Sequence, residues 1–472
     1  MICLHIGFDD TDSPEGYCTT WIGALLTKKF FESNIEFVDY PQLIRLNPNV
    51  PYKTRGNGAV CIRINVEEKT IPKIIEDVKN LFEQWCDLSH PNTHPGLVFW
   101  KGKLSKNLME FSKETMFKIQ SLDQIRPFKD LKNVIFFSYK KGRGLIGAFA
   151  AIGMPLLECD YSYELITYRD PNDKGERDPN TEMVWKVLDD ISVTKNTFSH
   201  ADKKNKEIKI FPAGPDPVYS GIRGNDPDQL FRFWNAIQPQ PLSSKKPICF
   251  GIIFRTNQLT DQHFEAYKQF NPNNSIRENF KPYQVIIVSG TVISKPKWEF
   301  GGHLHFNLEI NDFIIPCYAY EPTKQFRHKL KLIPGDLITI AGGIRPATED
   351  YPQCINIEKV TVEKLVKDIT RLNPYCPECH KRVKSLGKTK GYRCVICRKR
   401  YTIPPLEYEI IDKKRSIIEG QEIIPPIVAH RHLTKPFDRK GLEFNSFHFD
   451  NNKFTQHLEY FFQKSNKDLS KK

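Results

Sequence analysis

Three carboxylates fall within four residues at Asp9-Asp10-Thr11-Asp12-Ser13. Carboxylates this close repel one another, and a hard cation such as magnesium relieves the repulsion. The alternation of Ile2–Phe8 predicts a strand ending at these aspartates, and Trp21–Phe31 predicts a helix that Thr19 or Thr20 would cap. A strand, an acidic turn and a helix start suit a magnesium-nucleotide site, because the free N–H groups of a helix N-terminus accept phosphate. An Asp-rich turn with a capping threonine would carry the same residues.

Two basic, glycine-containing segments supply the opposite charge. Lys53-Thr54-Arg55-Gly56-Asn57-Gly58 precedes a predicted strand over 60–66, and its glycines let the backbone fold into a concave array of N–H groups beside two cations. A hairpin turn would explain the Gly-Asn-Gly but not the basic pair. The segment Lys140-Lys141-Gly142-Arg143-Gly144-Leu145-Ile146-Gly147 contains GxGxxG after a predicted strand over 133–139. Two lysines stand where a dinucleotide-binding strand would be apolar, and Gly153 and Pro155 shorten the following helix. Contact with phosphate or an RNA backbone is the better reading; a nicotinamide or flavin site is the alternative. No GxxxxGK[ST] occurs, which excludes a P-loop kinase.

Cys376-x2-Cys379 and Cys394-x2-Cys397 lie fourteen residues apart, and each pair can place two thiolates on one metal. This is the pattern of a structural zinc ribbon. Neither CxxC opens a helix, as a redox role would need. The other eight cysteines are scattered, which fits reduced core thiols and a cytosolic protein.

The elements that must position these groups can be read from a chain of 472 residues, long enough for three or four domains. No run approaches 18 apolar residues and no signal peptide is visible. Residues 371–472 hold 22 basic and 11 acidic side chains, while the preceding 370 residues are nearly balanced. Such a local excess suits a polyanion, although a solvated tail would also carry it. Residues 161–210 are hydrophilic and read as a surface insertion or a loop-rich part of a second α/β unit. A helix is expected near Asp226–Ala236, a strand over Ile248–Thr256 and a linker over Asn271–Pro282. Five predicted strands between Gln284 and Val362, with Gly290 inside the first, suit a small OB-type barrel. Its His303 and His305 would face RNA or water rather than a metal.

The segments Gly7–Ser13, Cys18-Thr19-Thr20, Arg45–Pro48, Pro51–Ala59, Lys140–Ala148, Tyr219–Gly224, Glu321–Arg327, the cysteine ribbon and Arg431-His432-Leu433-Thr434-Lys435-Pro436 together resemble the archaeal tRNA(Ile) 2-agmatinylcytidine synthetases, nearly end to end. The long segment after Pro436 has no assignment. The resemblance implies a multidomain α+β chain: a kinase-like α/β domain at 1–138, a ferredoxin-like domain at 139–270, an OB fold at 283–366, a zinc ribbon at 371–403 and a basic segment at 404–472. It implies ATP-driven joining of agmatine to C2 of the wobble cytidine of a tRNA(Ile) with a CAU anticodon, with release of AMP and phosphate. Asp9, Asp10 and Asp12 would hold Mg2+, with Lys53, Arg55, Gly56, Gly58, Lys141, Arg143 and Gly144 around the phosphates of ATP. The family implies that a threonine matching Thr19 accepts phosphate, and it implies tRNA contacts at Lys324, Arg327, Arg431 and Lys435. Agmatine is a dication, for which Glu15 and Asp160 are acidic candidates. The alternative is a non-catalytic OB and zinc-ribbon tRNA-binding protein, which leaves the aspartate cluster without a task.

Overall fold

The structure is a computed structural model that describes residues 1–177, 179–237, 248–271, 280–387, 389–431, 434–444 and 446–469. His432 and Leu433 of the Arg431–Pro436 block, most of the expected 271–282 linker and the last three residues lie outside these.

A nine-stranded sheet dominates the first 270 residues. Its main strands are β1 (Ile2–Asp9), β2 (Gln42–Arg45), β3 (Gly58–Val66), β4 (Gly96–Lys101), β5 (Val134–Ser138), β6 (Ser162–Arg169), β7 (Val218–Gly224) and β8 (Ile248–Thr256). They lie in the order β7-β6-β8-β2-β3-β1-β4-β5, with the short strand Glu36–Phe37 also against β3. All these main-strand pairings are antiparallel except β8 with β2, which is parallel and joins the two halves through only Arg255↔Gln42 and Thr256↔Leu43. Side chains reinforce this seam. Asn257 accepts from the Arg45 N–H at 2.7 Å and donates to its carbonyl at 3.0 Å, and the buried Arg255 guanidinium donates to Asp39 at 3.1 Å.

Residues 161–210 are therefore no surface insertion throughout. Ser162–Arg169 is buried along its whole length between β7 and β8. The hydrophilic remainder forms loops, a helix over Thr181–Asp189 and a two-residue hairpin pair.

Alternation along β1 sends Phe8 against Phe82 of a helix over Ile71–Trp85, which packs with α1 (Thr19–Glu32) on one face. Gly7 points to the other face, where α2 (Gly144–Ile152) lies so close that a Cβ on Gly7 would sit 2.2 Å from the Ala148 carbonyl oxygen. Gly147 is equally constrained, since its Cβ would meet the Asp9 carboxylate at 1.9 Å. The GxGxxG segment thus serves close helix-on-strand packing.

Residues 285–364 form a barrel of β9 (Val285–Val292), β10 (Leu304–Ile310), β11 (Phe313–Ala319), β12 (Leu337–Arg345) and β13 (Cys354–Lys364). The order β9-β12-β13-β11-β10 closes through Thr291↔Glu309 and Val292↔Leu308. Gly290 permits this closure, because a Cβ there would lie 2.5 Å from the Glu309 carbonyl oxygen. The cysteine ribbon follows, with three short strands at Lys384–Ser385, Tyr392–Arg393 and Arg400–Tyr401.

The segment after Pro436 returns to the first sheet. Arg439, fully buried, donates to both oxygens of Asp160 at 2.7 Å each. A final helix, α3 (Asn451–Leu469), lays Phe454, Phe461 and Phe462 against Tyr40, Gly251 and Phe250. Among the described residues no helix is long and apolar enough to cross a membrane.

Candidate functional site

The carboxyl end of β1 opens into a cleft of about 330 Å³ between the two halves of the sheet. Asp9 is the last residue of the strand. Asp10 turns the chain with a left-handed φ of 56°, which brings Asp12 beside it in the wall of the same cleft. Burial, aggravated by Asp10, pushes the Asp9 carboxyl well above the usual range, and burial raises Asp12 to about 6 against the pull of Arg55. Asp10 is raised by burial and partly offset by Arg143. Three carboxylates that resist ionisation together form a site short of positive charge, which is what a divalent cation supplies.

Two arginines from the basic segments answer two of these acids. Arg55 donates to Asp12 at 2.9 Å and to the Ser13 and Tyr17 carbonyls, and Arg143 donates to Asp10 at 3.1 Å beneath the ring of Tyr52. Gly56, Gly58 and Gly144 also line the cleft. Lys53 lines it too, with its ammonium on the Pro48 carbonyl. Lys141 does not enter: Gly142, at φ 62°, turns the chain so that Arg143 faces the cleft and Lys141 stays exposed outside it.

At the start of α1 the N-cap is Cys18, and its side chain caps nothing. The expectation that Thr19 or Thr20 caps is thereby corrected. Both are the first helical residues, both line the cleft, and their N–H groups face no capping side chain. Thr19 Oγ1 lies 3.0 Å from Thr11 Oγ1, whereas Thr20 Oγ1 is engaged by the Cys18 sulfur at 3.0 Å. Thr19 is thus tied to the aspartate turn and Thr20 is not.

The rest of the lining comes from strands and loops that sequence reasoning left unassigned to the site. Glu164 of β6 is held by Arg45 at 3.4 Å and Arg223 at 2.9 Å, and Asp216 by Arg177 at 3.3 Å and Arg55 at 3.8 Å. Lys118 and Lys209 complete the lining, so basic side chains outnumber acidic ones seven to five. The balance suits a polyanion. The acidic candidates for agmatine lie elsewhere: Glu15 is exposed, and Asp160 is neutralised in the interior by Arg439 and Lys435.

The expected tRNA cations divide similarly. Lys324 is exposed. Arg327 is buried against Glu321 and the Gly302 carbonyl, and Lys435 is held by Asp160 at 3.2 Å and Glu443 at 2.8 Å. Arg431 is pinned to Glu358 at 2.9 Å and to Asn49 at 2.9 Å, joining the barrel to the wall of the cleft. The last three are consumed by internal contacts. On the barrel, half-buried His305 stacks on buried Tyr318 and Tyr318 on Tyr320, with Arg345 over it, a series that strand prediction alone did not reveal.

In the ribbon, Cys376, Cys379, Cys394 and Cys397 bring their sulfurs within 4.8 Å of one another. Tetrahedral zinc with bonds of about 2.3 Å needs sulfurs roughly 3.8 Å apart, and Cys376 and Cys397 are separated by 3.7 Å. Each CxxC is followed by a left-handed residue, His380 or Arg398, and each first cysteine donates its N–H to a lysine carbonyl five residues on. These repeated turns aim both pairs at one point.

Residues 5–141 match the family model described as the TiaS TCKD domain, 142–263 the TiaS FLD domain and 373–417 the TiaS C-terminal zinc ribbon domain. The chain is 38% identical to the tRNA(Ile2) 2-agmatinylcytidine synthetase TiaS of Thermococcus sibiricus, over 92% of this chain and 96% of that one. It is also 38% identical to that of Methanocaldococcus jannaschii, over 92% and 98%. Among solved structures it resembles a TiaS–tRNA(Ile2)–ATP complex with a TM-score of 0.78 and 30% identity, over 95% of this chain and all of the other. A TiaS–tRNA(Ile2)–AMPCPP–agmatine complex aligns at 0.75 and 28%, with the same coverage.

Proposed function

Because the chain belongs to the tRNA(Ile2) 2-agmatinylcytidine synthetase family, we propose that its cleft joins agmatine to C2 of the wobble cytidine of tRNA(Ile), using ATP. The observation that carries this reading is the meeting in one cleft of Asp9, Asp10 and Asp12, the uncapped start of α1, Arg55 and Arg143. The two halves of the sheet, 1–138 and 139–270, correspond to the kinase-like and ferredoxin-like modules, the barrel at 283–366 to the OB fold, 371–403 to the zinc ribbon and 404–472 to the basic C-terminal segment; the boundaries of the family models support the division.

Asp9, Asp10 and Asp12 would hold Mg2+: the three line one cleft, and burial raises all three carboxyls, which supports a cation among them. Bound there, magnesium would neutralise charge on the phosphates of ATP. Arg55 and Arg143, which line the same cleft, would donate to the phosphoryl oxygens. Lys53 lies beside them at the cleft wall. Thr19 accepts the transferred phosphoryl group, with Thr11 Oγ1 orienting its hydroxyl. The phosphoryl group then passes from Thr19 to the cytosine C2 oxygen, which restores the threonine hydroxyl and makes that oxygen a leaving group; the ADP left by the first transfer gives AMP and a second phosphate when water cleaves its remaining anhydride bond. The agmatine amine forms the N–C2 bond as the C2–O bond breaks and phosphate departs, and the amine proton passes to solvent or phosphate.

The decisive experiment incubates the protein with ATP, agmatine and a tRNA(Ile) transcript bearing CAU. Release of AMP that requires the tRNA, together with a mass gain at the wobble cytidine, is the expected result. Tight tRNA binding with neither product would instead support the non-catalytic alternative.

A further inference from the structure

Among the polar groups of the cleft that the chemistry above does not use, one is buried with an atom left unpartnered. Gln120 lines the cleft together with Ile119, Leu46 and Val50 and is only 6% exposed. Its Nε2 donates to Glu114 Oε2 at 3.1 Å, and the other Glu114 oxygen is held by Lys118 at 2.8 Å. A carboxylate only accepts hydrogen bonds, so turning the amide over would set two oxygens against each other. The amide is therefore locked with its nitrogen on Glu114. Its oxygen, Oε1, is buried and has no hydrogen-bond partner among the described residues. Buried acceptors left unmet are uncommon and unfavourable. An acceptor fixed in direction and unmet, on a residue lining a cleft that also presents Leu46, Val50 and Ile119, is complementary to the edge of a base that presents an amino group.

We propose that Gln120 determines specificity by accepting a hydrogen bond from the exocyclic amine of a base bound in the cleft, a proposal that rests on the function argued above. The shared chemistry is an amine beside a ring nitrogen, which both the adenine of ATP and the target cytosine carry. Guanine and uracil place a carbonyl oxygen at the corresponding position, where it would oppose Oε1.

The test uses the full chain and equilibrium binding. One arm compares ATP with purine riboside triphosphate, which lacks only the 6-amino group. The other compares tRNA(Ile) with the same tRNA carrying 2-pyrimidinone riboside at the wobble position, which lacks only the 4-amino group. The wild-type protein is expected to bind one of the two des-amino ligands about tenfold more weakly than its parent, and the arm affected identifies the base. Gln120→Met keeps the length without the acceptor and should bind that pair equally. Wild-type protein that binds both des-amino ligands as tightly as their parents overturns the proposal, without any variant having to fold. A Gln120→Met protein that keeps the discrimination overturns it as well. Agmatine transfer by the wild-type protein is scored separately: transfer without discrimination removes only Gln120, and discrimination without transfer removes only the assigned reaction.

Discussion

Asp12 and Arg55 hold each other at 2.9 Å in the lining of the cleft, and in the proposed reaction a nucleotide would part them. Changing Asp12 to Asn removes a ligand charge, so ATP turnover should fall at least about a hundredfold while tRNA affinity stays nearly constant. The same side chain predicts a pH effect. Its carboxyl titrates near 6 in the folded protein, above the usual 3.8, so between those values the folded state binds more protons than the unfolded state. Its contribution therefore weakens the ligand-free protein as pH rises from about 4 to about 6. Thermal unfolding across that window should show wild type losing stability relative to Asp12→Asn, and parallel curves would refute the assignment. Thr19 and Thr20 are separated by partner: with γ-labelled ATP, Thr19→Ala should abolish label on the Tyr17–Lys28 peptide and Thr20→Ala should leave most of it. Label that survives Thr19→Ala removes Thr19 from the mechanism. The aspartate turn was legible in the sequence because its charges are consecutive and follow a clear strand. Glu164, Asp216 and Gln120 were not, since only tertiary folding brings them to that turn.

Among the elements, the ribbon and the closing helix carry the clearest expectations. Cys394 sits at the centre of a small core with Cys376 and Val383, and Cys394→Ser should abolish binding of one zinc per chain, unfold the ribbon and weaken tRNA binding. ATP binding should persist, because the sheet has its own core. Metal analysis and a tRNA titration check this, and full tRNA affinity without zinc would refute it. Helix α3 is held by apolar contact, with Phe461 packed where Gly251 leaves room. Phe461→Ala should cost about 3–5 kcal/mol, read by denaturant unfolding. The barrel strands were legible from alternation and turn residues. Strand β6 was not, because Ser162-Tyr-Glu-Leu-Ile-Thr-Tyr-Arg169 buries Glu164, whose partner Arg223 lies on β7, and Arg169, which donates to the Asp216 carbonyl in a loop far along the chain. A buried strand with paired charges resembles a surface segment until those partners are known. The capping role of Thr19 and Thr20 failed for a local reason: Cys18, extended at φ −167°, ends the turn one residue earlier.

At the scale of the molecule, the cleft lies across a seam made by two residue pairs of β8 and β2, so the two halves must be kept in register from outside. The segment after Pro436 does this through α3, whose Phe454 meets Phe37 and Tyr40 of the first half and whose Phe462 meets Phe31 of the first and Phe250 of the second. Arg439 anchors that segment to the second half, reaching Asp160, Asn225 and the Leu259 carbonyl together. Arg439→Met leaves the Asp160 charge buried with Lys435 alone and should cost about 3–5 kcal/mol. Adding Asp160→Asn should recover part of that loss, and an unfolding series that shows no recovery would mean the guanidinium acts by packing alone. Synthesis runs from residue 1, and residues 451–462 are made after everything they cover. Until they emerge from the ribosome, Phe31, Phe37, Tyr40 and Phe250 lack part of their apolar shelter. The nucleotide cleft is encoded almost wholly before residue 225, yet its supporting face is finished only by the last helix. A chain whose translation stops early would carry every cleft residue and still expose the sticky face that chaperones and proteases recognise, so messages cut short would yield protein marked for removal rather than an enzyme spending ATP without its RNA arm.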